Sequence, residues 1–183
     1  MHYRLLLALS CWLGLLAAVP AAASEEPRDF IYTGDLAENV DLLDRRDIEG
    51  AQVIYTWRML EPEKGVYDFS AIEADLLLAE ARGKQLFAQI QDRFFLPTAR
   101  NVPQYLLDDP EYDGGLARQY DNPGEGEPEG QGWTAMHWNP AVRARFQALL
   151  AALGERFDGR LFGVNLPESS FDPLAEEGDA NGF

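Results

Sequence analysis

Two kinds of segment alternate along this chain, and that alternation limits its fold more than any other feature. Phe30–Thr33 is a short apolar run, and Ala51–Trp57 (AQVIYTW) has too little polarity on either face to be half exposed. In Gln85–Gln91 (QLFAQIQ) Leu86, Ala88 and Ile90 fall on one side and Gln85, Gln89 and Gln91 on the other. These read as strands, and Leu161–Leu166 reads as a fourth. Between them lie helical patterns. Asp35–Ile48 is ragged, carrying Leu36, Val40, Leu43 and Ile48 before Gly50. Ser70 and Glu73 predict a capping box ahead of Ile72, Leu76 and Ala79, with Gly83 as the stop. Asn139 and Pro140 open the strongest helix, whose stripe is Val142, Phe146, Leu149, Leu150, Leu153 and Phe157. Asp158-Gly159 ends it.

Strands alternating with amphipathic helices imply crossover units on a parallel sheet. No glycine-rich phosphate loop follows any of these strands, which argues against a nucleotide-binding version. The expected fold class is therefore α/β, of the parallel (β/α)8 TIM-barrel type. Such barrels take roughly 250 residues, so the 183 residues here are expected to hold about four βα units, a partial barrel.

The first 23 residues are set apart from this pattern. His2 and Arg4 precede an apolar run from Leu5 to Val19, and Ala21-Ala22-Ala23 is a small-residue cleavage pattern. The run is short for a membrane span of about 20 residues. It reads as a signal peptide cut near Ala23–Ser24, which predicts a secreted or periplasmic protein without a membrane anchor after cleavage. The lone Cys11 falls inside this leader, too far from the end of the apolar run for a lipoprotein signal. The exported part, residues 24–183, thus has no disulfides and no thiolate zinc site, and its one histidine is His137.

With 15 Lys and Arg against 31 Asp and Glu, the net charge is −16. That surface repels phosphate backbones and anionic lipid heads, which argues against nucleic acid or membrane partners. A long insertion, residues 92–139, is rich in proline, glycine and acid. Its segment Asp121–Gly132 (DNPGEGEPEGQG) reads as an open loop, and its spacing matches no calcium loop. No metal or cofactor is implied.

In parallel barrels chemistry gathers at the carboxyl ends of the strands. Here those ends carry Trp57-Arg58 and Gln91-Asp92-Arg93, then Glu168, with Trp133, His137 and Trp138 supplied by the insertion. Aromatic faces suit the C–H surface of a sugar, and amides and charges suit its hydroxyls. Carbohydrate is therefore the expected partner. The binding candidates are Trp57, Arg58, Gln91, His137 and Trp138, and Trp57 fits core packing equally well. Glu61 and Asp68 are expected to serve the turn and the helix start.

The stretch Thr56–Leu86 (TWRMLEPEKGVYDFSAIEADLLLAEARGKQL) resembles the corresponding region of clan A glycoside hydrolases, especially the β-galactosidase-like families. The resemblance is carried by Trp57, Leu60-Glu61-Pro62, Gly65 and Tyr67-Asp68-Phe69. Trp138–Gly159 is similar to the helix before their fourth strand. The resemblance implies an exported enzyme hydrolysing O-glycosidic bonds with two carboxyl groups. It places the acid/base on Glu168 and the nucleophile on a seventh strand, outside these four units. The clan has asparagine directly before the acid/base, whereas this chain reads Asn165-Leu166-Pro167-Glu168, so Asn165 is not given the usual sugar-binding role. The alternatives are a non-catalytic secreted carbohydrate-binding or interaction protein, and a half-barrel that self-associates through open sheet edges.

Overall fold

In the computed structural model, which describes residues 27–121 and 129–167, the elements follow in order. Strand β1 (Asp29–Thr33) and a 3-10 segment (Ala37–Asp44) lead to β2 (Ile48–Thr56), the four-residue α1 (Trp57–Leu60) and α2 (Ser70–Glu80). Then come β3 (Gln85–Gln91), α3 (Gln104–Asp108), β4 (Leu116–Asp121), β5 (Glu129–Ala135), α4 (Pro140–Phe157) and β6 (Gly163–Asn165). β1, β2, β3 and β6 form one parallel sheet in that order, and β4 and β5 form a separate antiparallel ribbon. This is the partial barrel that the alternation predicts.

Period-two alternation divides the sheet into two faces. Ala51, Val53 and Tyr55 of β2 lie level with Leu86, Ala88 and Ile90 of β3, and all six are buried. They pack with Ile72, Leu76 and Ala79 of α2 and with the α4 stripe in one apolar cluster. Full burial of a leucine such as Leu76 is worth about 1.5–3 kcal/mol.

The other face is apolar at its amino end and polar at its carboxyl end. Phe30, Phe87 and Phe162 meet there with ring centroids 4.8–5.4 Å apart. Phe30 is the second residue of the first strand and Phe162 directly precedes the fourth. In a flat sheet the three inter-strand steps of about 4.8 Å would separate them by about 14 Å. Their contact shows that the sheet curls round this face, as in a barrel wall. Gly50 and Gly163 make room for the rings: a Cβ on Gly50 would lie 2.0 Å from the Gln85 carbonyl oxygen, and one on Gly163 would lie 2.5 Å from the Phe87 ring.

Several local expectations need correction. The segment after β1 is a 3-10 turn rather than an α-helix, and Ile48 and Gly50 already belong to β2. Trp57 does not end the strand. It opens α1, which Thr56 caps by accepting from the Met59 amide at 3.2 Å. Ser70 is not a side-chain cap, because the Asp68 carboxylate accepts from the Ser70 amide at 2.9 Å, and Glu73 turns instead to Arg156 and Arg160. The fourth strand is three residues long.

The insertion carries regular structure at both ends of the expected loop, and residues 122–128 of that loop lie outside the described residues. It contains α3 and the β4–β5 ribbon, and Glu129–Gly132 lie in β5. Gly132 has φ of +144°, and a Cβ there would lie 1.9 Å from the Phe94 carbonyl oxygen. Phe94 and Trp133 exchange backbone hydrogen bonds at 3.2 and 3.3 Å, fastening the ribbon beside the end of β3.

Candidate functional site at the carboxyl ends of the strands

The polar half of the concave face is built on amides. Gln52 of β2 donates through Nε2 to Gln89 of β3, Gln89 donates to Gln91 at 2.9 Å, and Gln91 donates to the Arg93 carbonyl at 2.9 Å. Asn165 of β6 is level with Gln89. A primary amide has two N–H donors and two acceptor lone pairs. Each glutamine in this row therefore keeps capacity for a further polar partner. The row rises along the inside of the curl to the carboxyl end of β3.

At that end, Asp92 is buried and its Oδ2 bonds His137 Nε2 from the far end of the insertion. The His137 ring lies parallel to the Trp57 indole, with centroids 6.3 Å apart, and edge-on to Phe146 at 4.7 Å. Trp57 is fully buried, its indole N–H donating to Glu61 Oε2 at 2.9 Å, so its link to the rim runs through His137. Arg58 holds the insertion: Nε donates to the Val102 carbonyl at 2.9 Å, Nη2 to Gln104 at 3.1 Å, and its amide to the Asn101 carbonyl. Trp138 is half-buried beside His137 in the chain. Glu168 lies outside the described residues.

The structure thus joins Trp57 directly to His137 and runs Gln91 into the Arg93 carbonyl, which also accepts from Asn101 at 3.1 Å. Arg58 meets the insertion at Val102 and Gln104, among different partners.

The sequence places Asp92 at the rim in Gln91-Asp92-Arg93 but gives it no role of its own. The signal was present, since Asp92 follows β3 directly, as Glu168 was expected to follow the fourth strand. Sequence reasoning passed over Arg145, which lies off the apolar stripe of α4 yet pairs with the fully buried Glu61. Glu61 further accepts from the Gly65 amide at 2.9 Å, and Arg145 Nε donates to the Tyr105 hydroxyl at 3.1 Å. Burial alone would disfavour the charge on Arg145. The bonds to Glu61 and Tyr105 outweigh it and raise the guanidinium above its ordinary range. Glu61 serves the turn, as expected, and also ties it to α4. Among the described residues, no group of three or more His, Asp or Glu could hold a metal ion.

No protein-family model matches this chain, and no curated protein matches it in sequence. Solved structures do match. A β-galactosidase from the Antarctic haloarchaeon Halorubrum lacusprofundi superposes with a TM-score of 0.52 at 21% identity, over 76% of this chain and 21% of that one. The catalytic domain of a β-amylase from Paenibacillus polymyxa superposes with a TM-score of 0.55 at 11% identity, over 75% of this chain and 36% of that one. Both are glycoside hydrolases by their descriptions, and both are much longer than this chain. At these identities the likeness is one of fold. The chain has the fold of part of a parallel TIM barrel.

Proposed function

We propose that this chain is the N-terminal portion of an exported glycoside hydrolase of the (β/α)8 type, with Glu168 as general acid/base. The observation that carries the reading is the polar carboxyl end of the sheet, with Gln91, His137 and Trp138 beside it, in a fold shared with a β-galactosidase and a β-amylase. Amide and imidazole groups beside aromatic rings suit a polyhydroxylated ligand. Trp57 supports the site from below, and Arg58 holds the insertion that forms its wall. The reaction needs a second carboxyl group, about 5–5.5 Å from the first for retention and about 6.5–9.5 Å for inversion. The reading assigns that group to a later strand.

The test uses the protein that carries this chain and a panel of aryl glycosides. Turnover of at least one member, lost in Glu168→Gln with sugar binding retained, supports the reading. Binding without turnover in any member favours a non-catalytic carbohydrate-binding protein. Export is tested by the mass of the secreted product, which should begin at Ser24.

Self-association is a second reading, favoured by exposed apolar side chains on both edge strands. Tyr32 on β1 is 62% exposed, and Val164 on β6 is 38% exposed. Paired edges would cover both. Gel filtration separates the cases: a dimer supports this reading, and a monomer removes it.

A further inference from the structure

Asp92 and His137 form a pair that a simple structural tie does not require. Asp92 is 1% exposed, and its Oδ1 is buried with no hydrogen-bond partner among the described residues. Leaving a buried polar atom unpaired is costly, because the atom gives up its water and gains nothing in return. An uncharged side chain could tie the insertion to β3 with one hydrogen bond and avoid that cost. Meanwhile His137 keeps 36% of its side chain exposed at the rim.

The geometry points to Asp92 as a positioning residue that makes His137 Nδ1 the atom offered to a ligand hydroxyl. The inference rests on the carbohydrate reading of the site given above. A carboxylate can only accept a hydrogen bond, so the contact with Oδ2 requires His137 Nε2 to carry a proton. In the neutral ring the remaining nitrogen, Nδ1, is then a bare acceptor. It is also the only ring atom at which a proton can be gained or lost without breaking the bond to Asp92. No described residue bonds to Nδ1.

The ring is fixed on several sides. Trp57 lies parallel to it, with 4° between the planes, and Phe146 meets it edge-on at 63°. The His137 amide donates to the Ala135 carbonyl at 2.9 Å, and Arg143 donates to the His137 carbonyl at 3.1 Å. A half-turn of the ring would put carbon where each nitrogen stands and break the bond to Asp92, so the two nitrogens keep their places. Nδ1 therefore takes the O–H of a polyhydroxylated ligand as an acceptor.

His2 and His137 are the only imidazoles in the chain, so nitrogen NMR on histidine-labelled protein reads this directly. The His137→Gln variant, which loses that ring alone, assigns its signals. In the neutral ring His137 should show a protonated Nε2 and an unprotonated Nδ1. Asp92→Leu should mix the two tautomers, and adding methyl galactoside or methyl glucoside should shift the Nδ1 resonance while leaving Nε2 in place. If Asp92→Leu does not fold, the wild-type tautomer and its response to sugar still decide the matter. A wild-type ring protonated at Nδ1 and bare at Nε2 overturns the inference, and so does a correct tautomer whose Nδ1 ignores every sugar that the protein binds. Neither outcome depends on turnover, so loss of the hydrolase reading through Glu168→Gln is a separate result.

Discussion

Glu61 and Arg145, 84 residues apart in sequence, are joined side chain to side chain inside the molecule. One carries the turn after α1 and the other stands on α4, so the pair fixes the end of β2 against the main helix. Glu61 is fully buried, and the Arg145 side chain is 19% exposed. Removing one partner of a buried pair leaves an uncompensated charge and costs about 3–5 kcal/mol. Arg145→Met should therefore lower the unfolding free energy by about 3 kcal/mol in urea melts. A loss below about 1 kcal/mol, the range of an exposed pair, contradicts this role.

Gly50 carries a second prediction. A Cβ there would lie 2.0 Å from a backbone oxygen of the neighbouring strand and 2.8 Å from the Phe30 ring. Overpacking of this kind costs about 1–3 kcal/mol, and a backbone atom cannot turn aside. Gly50→Ala should fall at the upper end of that range in the same melts. Gly34→Ala, where nothing lies within 4 Å, is the matched control.

Asn139 caps α4, its side chain accepting from the Ala141 amide at 2.8 Å and the Val142 amide at 3.3 Å. Asn139→Ala should cost about 1 kcal/mol, and Asn139→Asp or Asn139→Ser should restore most of it. No change in the alanine variant would mean that the cap contributes nothing.

Asp75 gives the pH dependence. Burial is the main influence holding its carboxyl above the usual range, and Asp35 adds to it. The Tyr55 hydroxyl, donating at 2.7 Å, works the other way. A carboxyl raised in the folded state stabilises fully below its unfolded value, and that contribution is lost as pH rises through the folded value. Asp75→Asn keeps an acceptor for Tyr55 and removes the titration. The variant should therefore gain thermal stability relative to the wild type as pH rises from below the ordinary carboxylate range to neutrality. A constant difference in Tm across that span contradicts the assignment.

Much of the sheet was legible because period two is a strong signal. The alternation in Gln85–Gln91 recurs as buried Leu86, Ala88 and Ile90 opposite half-buried glutamines. The α4 cap and stripe read equally well, since Asn139-Pro140 and the spacing from Val142 to Phe157 are local features. The segment after β1 misled because Leu36, Val40 and Leu43 recur alike in an α-helix and in a short 3-10 turn. The β4–β5 ribbon was hidden by its glycine and polar content, and its pairing with Phe94 is a tertiary contact without a local pattern. The site divided in the same way. Strand-end position brought out Gln91 and Arg58, but the bond of Asp92 to His137 spans 45 residues and is fixed by how the insertion folds back.

The most direct measurement is the rate of aryl-glycoside hydrolysis by the protein carrying this chain, compared with its Glu168→Gln variant. General acid/base catalysis contributes about 10²–10⁴-fold. The account predicts a loss of that size in kcat, with binding of the glycoside retained. Equal rates for the two proteins would contradict it.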